Sequence, residues 1–203
     1  MQVNGDFYPS RVYAMTENPG TNFDMGPLQN TGRSMDVAIQ NNGFIAVLDG
    51  SGQETYTRAG DLQLTLSGQL VTGTGLPVMG AAGPIFLPPL DDLDISEDGT
   101  ISIIPQGGDG TQITTLNRIK LVSAEPEALV KGDDGLIRTK SGEQLQQDNS
   151  VQVISGYLEG SNVNAVEEMT SIMELSRRFE MNIKVMNTVR ENENASARIL
   201  ERS

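Results

Sequence analysis

The sequence predicts a mainly β fold that ends in one long C-terminal α-helix, and three observations support this prediction. All 22 glycines and all 9 prolines lie at or before Gly160, so a composition boundary divides the chain. Before Gly160, short runs of strand-forming residues alternate with turn residues. After it, apolar residues recur at a period of 3.5, which is typical of a helix that packs against another helix.

The β part begins with two predicted hairpins. Val37 and Ile39 share one face of a strand. The turn residues at 49–52 connect the next run, 43–48, to the run at 54–58. The segment 62–66 has leucine at every second position, which is the period of a half-buried strand. The spacing of the runs favours an antiparallel sandwich or an open barrel. The predicted strands are 37–39, 43–48, 54–58, 62–66, 69–71, 85–87, 93–96, 100–104, 116–122, 136–139 and 151–154.

The predicted helix carries a seam, by which we mean the positions that follow alternating steps of four and three residues. Asn164 is expected to cap the first turn, with Glu167 reaching back to it. The seam has 11 positions from Ala165 to Leu200, and 8 of them are apolar. We predict that these eight form an assembly interface: Ala165, Met169, Ile172, Phe179, Ile183, Met186, Ala197 and Leu200.

This seam predicts a partner. From Asn164 to Glu201 the helix extends about 55 Å at ~1.5 Å per residue. A compact β domain cannot cover an apolar stripe of that length, and the sequence contains no second helix that could do so. We therefore expect another chain, or a segment outside this sequence, to supply the missing surface. The alternative is a helix that folds back onto the sheet.

Composition argues against several classes of function. The net charge of −13 repels a phosphate backbone, so we expect no nucleic-acid partner. Because the chain has no cysteine and no histidine, it lacks the usual zinc ligands and thiol nucleophiles. No apolar stretch approaches the roughly 20 residues that cross a bilayer, so we expect no direct membrane insertion.

Two acidic motifs have the residue types of a binding or catalytic site, but their details argue against such a site. Asp92–Gly99 resembles a calcium loop, but Glu97 stands at the sixth position and Ile103 at the twelfth, so a strand followed by a turn is the favoured interpretation. Asp91, Asp92 and Asp94 could be glycosidase carboxylates, but aromatic residues make up only 4% of the chain, which leaves few platforms for a sugar. We predict no enzyme activity, no catalytic residue, no metal and no cofactor.

Four regions are predicted along the chain. Residues 1–32 form an extended connecting segment, and 33–150 form the β-rich domain. Residues 151–160 are a strand and turn linker, and 161–203 form the C-terminal assembly helix.

Several short segments occur in a fixed order along nearly the whole chain. They are Thr31–Gln40 (TGRSMDVAIQ), Gly43–Phe44, Tyr56–Gly60 (YTRAG), Ser67–Thr72 (SGQLVT), Gly75–Gly80 (GLPVMG), Leu158–Val163 (LEGSNV), Glu167–Met169 and Arg178–Met181. In this order they resemble the signatures of flagellar basal-body rod and hook proteins. Ala59 departs from the family pattern, which usually has asparagine there. The segments Gly99–Ser102 and Arg178–Glu180 look most like the proximal rod proteins, and the distal rod protein is the alternative.

The resemblance implies a structural subunit of a tubular, helical assembly. In such proteins paired terminal helices line the inside and β domains form an outer layer, which here is 33–150. The partners implied are other rod subunits, proximal and distal, in a homo- and hetero-oligomeric tube that transmits torque from motor to hook. The implied location is the periplasm-spanning rod of the basal body, reached by type III export without a cleaved signal peptide. Family members also carry an N-terminal helix that this sequence lacks, so we expect such a helix to precede Met1.

One alternative belongs to another class. A soluble, monomeric β-domain binding module would have its helix docked on its own sheet and its apolar stripe buried there.

Overall fold

The computed structural model describes residues 21–107 and 113–200, with side chains described up to residue 192. Within these ranges it contains short β-strands, one 3-10 helix at Pro126–Ala128 and one α-helix, α1, at Ala165–Leu200. The strands are β1 (Leu28–Asn30), β2 (Val37–Ile39), β3 (Gly43–Leu48), β4 (Glu54–Thr57), β5 (Leu62–Leu64), β6 (Leu70–Thr72), β7 (Met79–Gly80), β8 (Gly83–Pro84), β9 (Leu90–Ile95), β10 (Thr100–Pro105), β11 (Thr114–Arg118), β12 (Leu121–Ser123), β13 (Leu129–Lys131), β14 (Ile137–Thr139), β15 (Val153–Ser155) and β16 (Tyr157–Glu159).

The described strands pair in antiparallel sheets. The largest sheet has five strands in the order β12–β3–β4–β14–β13, and a three-stranded sheet has the order β11–β10–β9. Two-stranded sheets pair β1 with β16, β2 with β15, β5 with β6, and β7 with β8. Because β1 and β2 pair with β16 and β15, the residues just before α1 are tied to strands from the first quarter of the chain.

The centre of the β part is strand β3, which is buried on both faces. Ile45 and Val47 pack into the main core, whereas Phe44 and Ala46 pack into a second cluster with Tyr56. This alternation follows from the pleat, because successive side chains of a strand point to opposite faces. The main core also receives buried side chains from β2, β5, β6, β9, β10, β12 and β15. The β strands therefore share one central apolar core with a smaller cluster behind β3.

The predicted fold class is confirmed: the protein is mainly β, its sheets are antiparallel, and a long helix ends the described chain. The prediction that Leu66 is a half-buried strand residue is wrong, because β5 ends at Leu64 and Leu66 is fully exposed. The turn after β5 is closed by Thr65, whose hydroxyl accepts a hydrogen bond from the backbone N–H of Gln69 at 3.0 Å. A side chain at the tip of such a turn points to solvent.

Two other runs differ from the prediction. The run at 116–122 is divided into two strands, since β11 pairs with β10 and β12 pairs with β3. The run at 85–87 is not a strand, although Ile85 and Leu87 are buried in the main core. Strands β1 and β13 were not predicted, because each has only three residues and no strong alternation.

Replacing Gly60 by alanine is expected to destabilise the β part by about 1–3 kcal/mol, because the added methyl group overpacks the site. A Cβ at Gly60 lies 1.7 Å from the backbone oxygen of Val37, and that oxygen belongs to a buried strand. Gly50→Ala is the matched control, because a Cβ there meets no atom within 4 Å. Urea unfolding should show a large decrease in stability for Gly60→Ala and almost none for Gly50→Ala. Equal stabilities of the two variants would contradict the packing seen at Gly60.

Acid is expected to weaken the turn that joins β3 to β4. The pKa of the Asp49 carboxyl is held well below its usual range, first by the Ser51 hydroxyl, which donates to it at 2.6 Å, then by the backbone N–H of Gln53 and by Arg138. Because the folded pKa is lower than the unfolded value of about 3.9, the stabilisation is complete above that pH and is lost as the pH falls further. Unfolding by urea between pH 5 and pH 2 should show a shallower acid loss in Asp49→Asn than in the parent chain. The same slope in both would contradict this assignment.

Candidate assembly surface

Helix α1 begins where the sequence analysis placed its cap. The Asn164 side-chain oxygen accepts a hydrogen bond from the backbone N–H of Val166 at 3.1 Å, and the Asn164 carbonyl accepts from Glu168 at 3.0 Å. A side chain at this position satisfies a helix N–H that has no partner within the helix. The predicted return bond from Glu167 is not among the hydrogen bonds of the described residues. The cap alone therefore defines the first turn.

Over the residues whose side chains are described, helix α1 does not pack against the β part. All of residues 161–192 are exposed, although the helix has apolar residues along its length. In a helix that docks on its own sheet, one stripe of side chains is buried against the core. The arrangement seen here disagrees with the alternative of a monomeric module with a docked helix.

The described seam side chains all face solvent. Phe179 is 65% exposed and Met169 has the same exposed fraction, while Ile183 has the lowest fraction of the large seam residues at 39%. Ile172, Met186 and the small Ala165 are exposed as well. The side chains of the last two predicted interface residues, Ala197 and Leu200, lie outside the described residues. The structure thus presents six of the eight predicted residues on one free helix, and their role as an interface stays a prediction.

Helix α1 also carries a second apolar strip that was not predicted from the sequence. Met181, Val185 and Val189 follow one another at intervals of four residues and are each at least half exposed. At about 100° per residue, this strip lies on a different face from Phe179 and Ile183. The spacing i, i+4, i+8 was a signal for it, but a search for a single seam at period 3.5 passes over a second face. A helix that is apolar on more than one face requires neighbours on more than one side.

The base of α1 is tied to the β part by a small group of polar contacts, which we call the joint. Glu159, at the end of β16, forms an ion pair with Arg58 at 2.8 Å. The backbone N–H of Gly160 donates to the carbonyl of Pro27 at 2.9 Å. The Asn162 side chain donates to the carbonyl of Asp24, also at 2.9 Å. These contacts hold the chain between β16 and α1 against the segment that precedes β1.

The acidic segment at Asp91–Gly99 forms a strand and a turn. Asp91, Asp92 and Asp94 lie on strand β9, and Gly99 closes the turn into β10 with a φ of 82°. Within the described ranges, no group of three or more acidic side chains is arranged to hold a metal ion. The strand-and-turn interpretation of this segment is confirmed.

No described helix has the length and apolar character needed to span a bilayer.

An antiparallel β part that carries a long, unpacked helix with apolar side chains has the form of a subunit of a larger assembly. Comparison with known proteins places the chain in such a class. Residues 38–103 match the family described as flagellar hook protein FlgE/F/G D1 domain, and residues 154–199 match the family described as flagellar basal body rod FlgEFG protein C-terminal.

Individual relatives agree with the family match. The chain is 39% identical to the flagellar basal-body rod protein FlgF of Escherichia coli strain K12 over 207 residues, which cover 99% of this chain and 82% of the relative. FlgF of Salmonella typhimurium has the same identity and coverage. The flagellar basal-body rod protein FlgG of Bacillus subtilis is 34% identical over 172 residues, which cover 79% of this chain and 63% of the relative.

The chain belongs to the flagellar basal-body rod protein family, and it is more similar to these FlgF proteins than to this FlgG protein. This confirms the family predicted from the motifs, and the preference for the FlgF type over the FlgG type.

Proposed function

We propose that this chain is a structural subunit of the flagellar basal-body rod, of the proximal FlgF type, that assembles with other subunits into the axle between motor and hook. The family match supports the structural role. The observation that carries the proposal is the free helix: residues 161–192 are all exposed, yet apolar side chains occupy its seam. Each of these side chains forgoes about 1.5–3 kcal/mol while it stays in water. Assembly recovers that free energy.

The partners in this proposal are other rod subunits. Further copies of this chain and the other proximal rod proteins would surround it, with FlgG-type distal subunits above. The described apolar side chains of α1 on two faces support contacts with more than one neighbour. In this arrangement residues 161–203 form the inner assembly helix and 33–150 the outer domain. Residues 1–32 and 151–160 connect the two layers.

The location proposed is the periplasm-spanning rod, reached by the flagellar export apparatus without a cleaved signal peptide. We also propose that the chain has no catalytic activity, since its task is to transmit torque. The net charge of −13 supports the absence of a nucleic-acid partner.

The test is a deletion in the organism that encodes the chain. Cells without it are expected to be non-motile and to lack complete rods in purified basal bodies. Restoring the parent chain, or Lys184→Gln, should recover motility, whereas Phe179→Glu should not. Phe179 lies on the seam, and Lys184 is an exposed residue of the same helix that lies between the two apolar faces at about 100° per residue. Motile deletion cells with normal rods would overturn the proposal.

A further inference from the structure

Arg58 occupies an unusual position among the charged residues of the β part, because it contacts the chain on both sides of the joint. Its Nε lies 2.8 Å from a carboxylate oxygen of Glu159, just before α1. Its Nη1 donates to the backbone carbonyl of Gly43 at 3.0 Å, at the start of the central strand β3. Its guanidinium also lies over the ring of Phe44, 5.7 Å from the ring centroid. One side chain thus connects the core strand to the base of the helix.

Glu159 extends this connection to a third part of the chain. Its second carboxylate oxygen accepts a hydrogen bond from the backbone N–H of Gly26 at 2.9 Å. The ring of Phe44, under the guanidinium, meets the ring of Phe23 edge-on at 6.2 Å between centroids. The side chains of Arg58 and Glu159 are only 14% and 8% exposed. The pair therefore holds β3, β16 and the segment before β1 together inside a largely closed joint.

The helix depends on this joint for its direction. Residues 161–192 are exposed, so beyond Gly160 no described side chain of the helix is buried against the β part. The side-chain amide of Asn162, bonded to the carbonyls of Asn22 and Asp24, is the last contact with the preceding segment before α1. A rotation of about 10° at the base displaces a point 20 Å along the helix by roughly 3–4 Å. A small change of angle at the joint therefore produces a large displacement of residues farther along α1.

A partly buried ion pair is weak evidence for stability, because the cost of removing two charges from water offsets much of their attraction. Its geometric effect is stronger. The guanidinium is a planar fork that donates in fixed directions, here to a carboxylate and a carbonyl at once. An apolar pair of the same volume could fill the joint, but it would impose no direction.

We infer that Arg58 is a positioning residue: paired with Glu159, it fixes the direction in which helix α1 leaves the β part. Neither residue contributes to the seam. The inference concerns the isolated chain, so it can fail while the proposed rod function stands, and the reverse also holds.

The experiment measures the helix direction by pulsed electron paramagnetic resonance between two spin labels. The chain has no cysteine, so Leu66→Cys on the β part and Arg177→Cys on the helix provide two unique labelling sites, both exposed. Labelled chain is diluted into an excess of unlabelled chain, so that distances within one molecule dominate. Arg58→Met and Glu159→Gln are each compared with the labelled parent.

Both variants are expected to broaden the distance distribution by several ångströms, and each also lowers the midpoint of urea unfolding, because breaking one side of a buried pair leaves the other group without its partner. The double variant should broaden the distribution no further than either single change, because the two residues act as one pair, and its midpoint should return toward that of the parent. Lys120→Met is the matched control: it breaks the similarly buried pair between Lys120 and Glu54, at 2.6 Å, which lies within the β part. This control should leave the distribution unchanged.

Glu159→Gln keeps the size of the side chain, so it remains informative if Arg58→Met does not fold. An unchanged distribution in folded Glu159→Gln would overturn the inference. Equal broadening by Lys120→Met would also overturn it, because the effect would then be a general loosening of the β part.

Discussion

Self-association of the chain is expected to disappear when α1 is removed at Gly160, and to weaken strongly when Phe179 is replaced by glutamate. The β part keeps its core in both cases, since no buried core residue among those described lies beyond Val153. The large described seam residues are at least 39% exposed and gain burial only by contact with another molecule. The β part should therefore remain folded and become monomeric.

The size of this effect follows from the area involved. Burying one large apolar side chain contributes about 1.5–3 kcal/mol, and about 1.4 kcal/mol corresponds to a tenfold change in a dissociation constant. Phe179→Glu is thus expected to weaken self-association by about 10- to 100-fold. The loss is larger if the interface excludes water from the new glutamate carboxylate. Light scattering over a dilution series measures the change, and circular dichroism on the same samples reports the helix content.

Lys184→Gln is the matched control for this measurement. It changes the net charge by the same one unit on the same helix, at an exposed residue that lies between the two apolar faces. If it weakens association as strongly as Phe179→Glu, the effect is one of net charge. If the full chain is monomeric at every concentration and its helix is fully formed, the seam does not drive assembly of this chain by itself.

Leu70→Ala is expected to destabilise the β part strongly. Leu70 is fully buried in the main core, and its neighbour across the ladder is Leu64. Removing a buried leucine side chain costs about 2–5 kcal/mol, from lost burial and from the cavity that remains. For a chain of this length each 1 kcal/mol lowers the thermal midpoint by about 2–4 °C.

Leu66→Ala provides the control, since the same atoms are removed from the same hairpin at a fully exposed position. Its effect should stay within about 0.5 kcal/mol. Urea unfolding at a low protein concentration keeps association from contributing. Similar losses at both positions would mean that Leu66 is buried by a contact within the folded chain in solution.

This pair of leucines also shows where sequence reasoning stopped. The alternation at 62, 64 and 66 correctly predicts a strand, and its period places the three leucines on one face. It does not say where the strand ends. That boundary depends on the turn bonds of Thr65 with Gln69 and Gly68, which are closed only when β6 returns beside β5.

Strands β1 and β13 also depend on residues that are distant in the sequence. Each has only three residues, which are too few to show the period of a strand, so their own sequences carry almost no signal. They form because β16 and β14 offer them unpaired backbone groups. Such long-range pairing depends on residues far away in the chain, and a local pattern does not contain it.

The sequence by itself determined the two parts of this protein, the boundary at Gly160 and the cap at Asn164, because glycine, proline and hydrophobic period act on the backbone locally. Its ordered motifs were also sufficient to assign the family. Only the tertiary structure decided that the described side chains of α1 stay free of the β part and that Arg58 meets Glu159, 101 residues away. The physical reason is that burial and ion pairing depend on distances in space, and those exist only after the strands between the two residues have paired.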